Sequence, residues 1–389
     1  MSSEATEVVV IGGGISGTAA AYELARAGAQ VTLLEQGSLA NMASGWTLAG
    51  VRQSGRHPAE LPLATAAVAR WDHLGEELGA DVEYRRQGNL RLARSPEEVP
   101  VIQTIVSEQR GLGLDLTYLP DNAAVREVAP AIAESVLAAS YCPTDGHANP
   151  IATVHAFAQA AARHGATLRM DTAVTAIDAE GGCIRGVHTT SGDMAADVVV
   201  VAAGVYTAKL CAPLGLDLPI QVSRVAVVQT VPLPPILQQV LGTAGADFAG
   251  RQEVGGRFRL TGGGQPWPHR IDELAHGDDP VLPPAADIIS ALTRGIEVLP
   301  ALADAGVARV WGRLLDMTPD ALPIMERTPE LDGLVLAAGF SGHGFCLGPV
   351  TGQIVRDLVL EEKTAFPIQP FKWDRFTAMS GLAPATLHG

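Results

Sequence analysis

Residues 7 to 36 read "EVVVIGGGISGTAAAYELARAGAQVTLLEQ". The unbroken apolar run Val8 to Ile11 is what a strand buried on both faces of a parallel sheet needs. Gly12, Gly14 and Gly17 follow in the spacing G-x-G-x-x-G. The first such glycine takes a tight bend, the second admits a pyrophosphate close to the main chain, and the third lets helix and strand close up. A helix rich in alanine and leucine is expected over about residues 15 to 28, stopping at Gly28. Its N-terminus, from Gly13 through Ile15 and Ser16, is an anion site. A second strand, Val31 to Leu34, runs into Glu35 and Gln36 at the interval where a carboxylate accepts ribose hydroxyls. These features in register predict a dinucleotide-binding unit and leave nicotinamide and flavin both open.

The rest of the chain separates the two. A nicotinamide dehydrogenase completes its nucleotide domain in one run of further strand-helix units. Here residues 41 to 56, "NMASGWTLAGVRQSGR", are small and without period, and a helix is expected around Pro62 to Leu78. Strand-like "VEYRRQGNLRLA" then changes the texture. The nucleotide pattern resumes with a helix over residues 151 to 166 and with "ADVVVVAAG", whose buried strand ends at Ala203 and Gly204. Residues 215 to 315 predict an antiparallel sheet with a flanking helix around Ala285 to Glu297. "GLVLAAGFSGHGFCLGPVTGQIVRDLVL" predicts a strand, a glycine stretch and a helix from about Pro349 to Leu360. The chain after Glu362 is expected to be loosely held.

The expected fold class is therefore α/β (α+β overall): a discontinuous Rossmann-type domain with a mainly antiparallel β substrate domain. Residues 1–80, 145–215 and 316–365 form the first, residues 81–144 and 216–315 the second, and residues 366–389 a C-terminal tail.

Bulk properties exclude several classes. A net charge of -15, with lysine confined to Lys209, Lys363 and Lys372, argues against a nucleic-acid groove. The four cysteines, Cys142, Cys183, Cys211 and Cys346, have neither C-x-x-C nor zinc-ligand spacing, so no metal is expected. No apolar run is long enough for a transmembrane segment, and Val8 to Ile11 comes too early and is too short for a signal peptide. A cytoplasmic location is the expectation.

Four ordered motifs carry a resemblance that spans nearly the whole chain: the glycine turn with Glu35, "ASGWTLAGVR", "ADVVVVAAG", and "DMTPDALPI" followed by "AAGFSGHGFCLGP". The chain resembles the D-amino-acid oxidase-like family of FAD-dependent amine oxidoreductases, most of all the β subunits of multimeric sarcosine oxidases and of hydroxyproline or opine dehydrogenases. The resemblance implies FAD. It puts the pyrophosphate on the first helix, Glu35 at the adenosine ribose, the Val174 backbone at adenine, and Ser44 and Gly45 along the pyrophosphate and ribitol. Thr47, Ala49 and Gly50 would run beside the flavin ring, with Ala203, Gly204, Gly339, Gly342, His343, Gly344 and Phe345 completing the cofactor's surroundings. Trp46 and Leu48 depart from the family pattern and would narrow that space.

By the same resemblance Arg52 holds the substrate carboxylate, a task that suits a guanidinium's parallel donors. Arg56, Arg224 and Arg313 are lesser candidates. His343 either bonds the cofactor, shapes the glycine loop or acts as a catalytic group; His57 and His147 have weaker claims. The implied reaction is hydride transfer from the carbon next to an amine nitrogen, in a small amino or imino acid, to flavin N5, giving an imine that hydrolyses. The helix after Pro349 would aim its N-terminus at the negative edge of the reduced ring. Leu314, Leu315 and Asp316 stand where some relatives carry a flavin-linked cysteine, so noncovalent FAD is expected. Cys346 stands where one relative has a carboxylate-binding lysine, and the oxygen-activating lysine has Arg259 in its comparable strand. The first leaves the carboxylate without that lysine; the second tilts the expectation toward a dehydrogenase passing electrons to an acceptor, with an oxidase, using oxygen, left open. Partner subunits or a homo-oligomer fit the β-subunit likeness. A flavin subunit needing partner chains and a flavin-dependent monooxygenase are the other readings, the latter without a second G-x-G-x-x-G for a nicotinamide.

Overall fold

The computed structural model describes residues 6–274 and 278–378. The opening strand Glu7–Ile11 lies between Gln30–Leu34 and Val198–Val201, parallel to both, with Val10 opposite Leu33 and Val200. Its apolar run is continuous because each face meets a different core. Val8 and Val10 point into a core shared with the helices Ile15–Arg26, Leu61–Leu78, Pro150–Arg163 and Gly344–Leu360. Val9 and Ile11 meet Ile177, Ile184 and Val187 of a three-stranded meander on the other side. Thr167–Arg169 extends the sheet beyond Gln30–Leu34, and Leu334–Ala338 with antiparallel Ile324–Arg327 extends it beyond Val198–Val201.

The last helix begins at Gly344, five residues before the expected start at Pro349. Tertiary packing overrides the proline signal: Gly344 lies against Phe340, and Trp71 Nε1 donates to the Cys346 carbonyl at 2.9 Å. Pro349 sits inside the helix, where its missing N–H forfeits one backbone bond. Two further glycines let the first and last helices touch. A Cβ on Gly348 would lie 2.3 Å from Ile15 Cγ1, and one on Gly352 would lie 2.6 Å from the Ala19 carbonyl oxygen. This contact brings the far end of the chain onto the first glycine turn.

The second sheet runs in the order Gln265–Pro266, Gln221–Pro232, Arg257–Gly262, Phe248–Gln252, Val240–Thr243, Asn89–Ala93, Ala138–Cys142, Thr117–Leu119, with Val307–Met317 also paired to Gln221–Pro232. Its pairings are antiparallel except that of Val240–Thr243 with Asn89–Ala93. Strand alternation divides the two faces. Leu90, Leu92, Val228, Phe258 and Leu260 enter a core with the helix Ala285–Val298. Arg91, Gln229, Arg251, Arg259 and Arg309 occupy alternate positions and so face the other way, toward residues 41–56.

Segment 41–56 is more ordered than its composition predicts. It holds a short helix, Ala43–Trp46, and a two-residue strand, Gly50–Val51, paired with Gly146–His147. The expectation of a loosely held end also needs correcting. Phe371 is fully buried, the Trp373 amide donates to Glu326 at 2.7 Å, and Arg375 pairs with Asp320 at 2.8 Å. Residues 379–389 of the expected tail lie outside the described residues.

Candidate active site

A cavity of about 710 Å³ opens along the first glycine turn, a volume in the range of ligand pockets. Gly12 has φ +112°, and a Cβ there would lie 2.3 Å from the Ala202 carbonyl oxygen. Gly12, Gly13, Gly14, Ile15 and Ser16 line the cavity, whereas Gly17 stands behind it, packed on Gly12. The first helix has no acidic residue in its first turn to offset its N-terminal donors, and Ser44 Oγ accepts from the Ile15 amide at 2.9 Å. That end suits an anion. Glu35 lies across the turn, accepting from the Gly13 amide at 2.6 Å and the Gly37 amide at 2.9 Å. Burial pushes its carboxyl pKa up, against those two bonds. Glu35, Gln36, Ser44 and Val174 all border the cavity, as do Ala203 and Gly204.

At the other end, residues 41–50 lie on the arginine face of the second sheet. Their carbonyls are taken one after another by side chains of that face. Arg313 Nε donates to Asn41 O at 2.7 Å, Trp311 Nε1 to Trp46 O at 2.9 Å, Arg259 Nη1 to Thr47 O at 2.7 Å, and Arg251 Nε to Leu48 O. With these carbonyls held against the sheet, Thr47 borders the cavity; Gly45, Ala49 and Gly50 do not. A Cβ on Gly45 would meet the Ala40 carbonyl oxygen at 2.0 Å, and Ala49 takes a positive φ of 52°. Trp46 and Leu48, expected to narrow the ring's space, also lie off the cavity. Trp46 packs edge-on to Trp311 at 5.6 Å between centroids, with Arg309 and Arg313 each 5.0 Å from its own centroid. Arg259, singled out in the sequence only as standing in the strand of an absent lysine, holds the loop carbonyl instead, and Arg251 was not anticipated.

The far wall is the turn after Leu334–Ala338. Gly339, Ser341 and Gly342 all have positive φ, 67°, 51° and 83°. Asp316 shapes the turn, its Oδ2 accepting from the Gly339 amide at 2.6 Å. Gly342, Gly344 and Phe345 border the cavity, while Gly339 lies behind it. His343 is buried and also lies off the cavity; its Nδ1 is 2.9 Å from Glu60 Oε2. Burial and then Arg56 push the imidazole down to about 4, and although burial opposes it, His343 and Arg56 draw Glu60 down to about 2. A neutral imidazole donating to a carboxylate ties the glycine turn to the start of the helix Leu61–Leu78.

Burial raises the Asp316 carboxyl to about 6. A carboxyl raised in the folded state adds stability that is fully present below the ordinary Asp range and is lost as pH rises through 6. Thermal melts of wild type and Asp316→Asn should therefore diverge: wild type loses on the order of 2 kcal/mol relative to the variant between pH 4 and 7. A constant gap across that range would show that Asp316 titrates normally.

Arg52 is half-buried under the loop. Its Nη1 donates to Ser54 O at 3.0 Å, and its own carbonyl accepts from Arg56 Nε at 3.1 Å and faces Cys346 Sγ at 3.4 Å. Of the three lesser candidates, Arg224 pairs with Asp287 at 2.8 Å and Arg313 holds Asn41, while Arg56 lies buried against the Arg52 carbonyl and Glu60. His57 is exposed; His147 is pushed down to about 2 by burial and Arg251, and faces Arg251 Nη1 at 3.0 Å. Cys346 is fully buried and burial raises its thiol pKa. Iodoacetamide should leave it unmodified in the native protein and alkylate it only after denaturation, as peptide mass spectrometry can read.

The chain is similar to known proteins over nearly its whole length. Glycine oxidase of Geobacillus kaustophilus is 30% identical over 97% of this chain and 98% of its own. Its crystal structure superimposes with a TM-score of 0.88 over 96% of this chain and 99% of that one. L-proline dehydrogenase from P. horikoshii gives a TM-score of 0.87 at 28% identity, covering 97% and 99% of the two chains. Sarcosine oxidase subunit beta of Arthrobacter sp. is 28% identical over 95% of this chain and 91% of its own. The family model described as FAD dependent oxidoreductase matches residues 7–358, and the chain belongs to that family, DAO.

Proposed function

We propose that this FAD-dependent oxidoreductase acts on a small amino or imino acid, oxidising the bond between nitrogen and its neighbouring carbon to an imine that water hydrolyses. The observation that carries the reading is one cavity joining an uncompensated helix N-terminus and Glu35 to a wall of Gly342, Gly344 and Phe345, with Arg52 next to that wall through Cys346. Glycine, sarcosine and L-proline in the names of its relatives belong to the same substrate class.

The glycine turn fits the cofactor: Gly12 and Gly14 border the cavity at places where a Cβ would meet the Ala202 carbonyl oxygen at 2.3 Å or Ser44 Oγ at 2.9 Å, and Glu35 borders the same cavity, where a ribose would lie. FAD bound there supplies a two-electron acceptor. Everything else falls to the chain. Arg52 orients the substrate carboxylate, and Leu314, Leu315, Phe340 and Phe345 keep water from the reacting carbon. The Gly344 N-terminus offers donors to developing negative charge. His343, held neutral against Glu60, acts as a tie and not as a base. Among the described residues no cysteine or histidine lines the cavity, which supports noncovalent FAD. The two sheets are proposed as the cofactor and substrate domains. Among the described residues no helix is long and apolar enough to cross a membrane, which is compatible with a cytoplasmic location.

A second reading, a flavin subunit of a larger complex, is favoured by one feature. Ile289 and Ile296 of the helix Ala285–Val298 and Val307 and Val310 of Val307–Met317 are exposed apolar residues of the second sheet's layer. Anaerobic mixing of the isolated, FAD-loaded chain with primary, N-methyl and cyclic amino acids tests both readings. Bleaching of the flavin band by one class identifies the substrate, bleaching only with a partner chain present selects the complex, and bleaching by NADPH alone refutes both in favour of a monooxygenase.

A further inference from the structure

Among the described residues four charged ones border the cavity: Glu35, Lys209, Asp272 and Asp316. Lys209 and Asp272 pair with each other, and Glu35 gives one oxygen to each of the Gly13 and Gly37 amides. Asp316 is placed differently. It is 6% exposed and stands on Val307–Met317 next to Leu315, at the end of the cavity walled by Phe340, Gly342 and Phe345. Its Oδ2 accepts from the Gly339 amide at 2.6 Å and the Phe340 amide at 3.4 Å. Among the described residues no other one donates a hydrogen bond to Oδ1.

No cation stands beside this carboxyl. The charged side chains on the elements around it have other partners. On its own strand Arg313 holds the Asn41 carbonyl, and on the neighbouring strand Gln221–Pro232 Arg224 pairs with Asp287. Beyond the strand's end Asp320 pairs with Arg375, and beyond the glycine turn His343 faces Glu60. None of these acts on Asp316: burial raises its carboxyl to about 6, and only main-chain amides oppose that rise. A buried carboxylate without a cation is costly, and this one borders the space that receives the cofactor.

We propose that Asp316 is the proton acceptor that accompanies reduction of the FAD, taking one proton on Oδ1 as two electrons enter the cavity. Hydride transfer breaks the substrate C–H bond and carries both its electrons and one proton to the FAD, so the cavity gains one negative charge. A carboxylate facing that charge is one half of a like-charge pair, which binds a proton more readily than either group apart. The proton comes from solvent, adds to Oδ1, and leaves when the electrons pass to the acceptor. Oδ2 keeps the Gly339 and Phe340 amides throughout, so the turn holds its shape. The pH window follows from the signs. Below about 6 Asp316 is protonated before reduction and takes nothing up. Above 6, and up to the higher value that the added charge imposes, reduction brings in one proton. Each unit of that rise favours the reduced state tenfold.

Potentiometric titration of the FAD-loaded protein at a series of pH values, with electrons supplied by an electrode, tests the assignment without any substrate. Asp316→Asn is the variant, since asparagine keeps a carbonyl oxygen for the two amides and cannot take the proton. Above pH 6 the midpoint potential of wild type should fall with pH more steeply than that of the variant. The difference expected is the two-electron equivalent of one proton, about 30 mV per pH unit. A pH indicator in weak buffer should count one more proton taken up per FAD by wild type. Equal slopes and equal proton counts overturn the proposal. Should Asp316→Asn fail to fold or lose its FAD, infrared difference spectra of wild type decide. A protonated-carboxyl band that appears on reduction and shifts in heavy water supports Asp316 as acceptor, and the absence of such a band refutes it. The electrons come from an electrode, so this outcome is independent of whether the substrate is an amino acid.

Discussion

Gly17→Ala should purify without FAD, or not fold at all. The added Cβ would lie 1.9 Å from the Gly12 carbonyl oxygen, which belongs to the turn itself and cannot retreat without displacing the strand Glu7–Ile11. Overpacking of a rigid core costs about 1–3 kcal/mol and more when backbone must move, against a total stability of about 5–15 kcal/mol. The turn's geometry is also what admits a pyrophosphate, so cofactor affinity and stability fall together. Gly28→Ala is the matched control. That glycine has a positive φ, 95°, which Gly17 lacks, but a Cβ there meets nothing within 4 Å. The cost is about 1 kcal/mol of backbone strain, and the variant should remain yellow.

The second large effect is expected at Arg52. Arg52→Ala should retain FAD, because Arg52 does not border the cofactor cavity. It should lower kcat/KM for a carboxylate-bearing substrate by about two to three orders of magnitude, the 2–5 kcal/mol typical of truncating one partner of a buried charge pair. Most of that loss belongs in KM if Arg52 binds ground state and transition state alike. A loss confined to kcat would mean that Arg52 acts on the reacting atoms, and unchanged kinetics would remove it from the site. Stopped-flow reduction at varied substrate concentration separates these outcomes.

The nucleotide end was legible because its signals are local. Burial on both faces turns Glu7–Ile11 into a continuous apolar run, and the glycines and Glu35 sit within one strand-helix-strand stretch. The ring end was legible only through the likeness of its motifs, since its parts come from segments far apart in the chain. Nothing near Pro349 announces that Gly344 to Leu347 will be wound into helix; Trp71, more than 270 residues earlier in the chain, binds the Cys346 carbonyl there. Likewise Trp46 looked like a neighbour of the ring, whereas arginines more than 260 residues away in sequence hold it against the second sheet. Arg91 carries a readable local sign, a charge alternating with leucines in "NLRLA". That it lies against Gly55 of the opposing loop is not in the strand, since alternation cannot say what a face will meet. The burial of Phe371 is of the same kind: an aromatic in a polar, proline-bearing stretch, given its place by Ile324–Arg327 and the helix layer.

Hydride transfer from the carbon beside the substrate nitrogen is tested most directly by anaerobic stopped-flow reduction of the FAD-loaded protein, comparing an oxidised amino acid with the same compound deuterated at that carbon. Slower bleaching of the flavin band with the deuterated substrate, and formation of the matching oxo acid or aldehyde in amounts equal to bound flavin, is the expected result. Bleaching at the same rate with either compound, or no bleaching by any amino or imino acid, would contradict it.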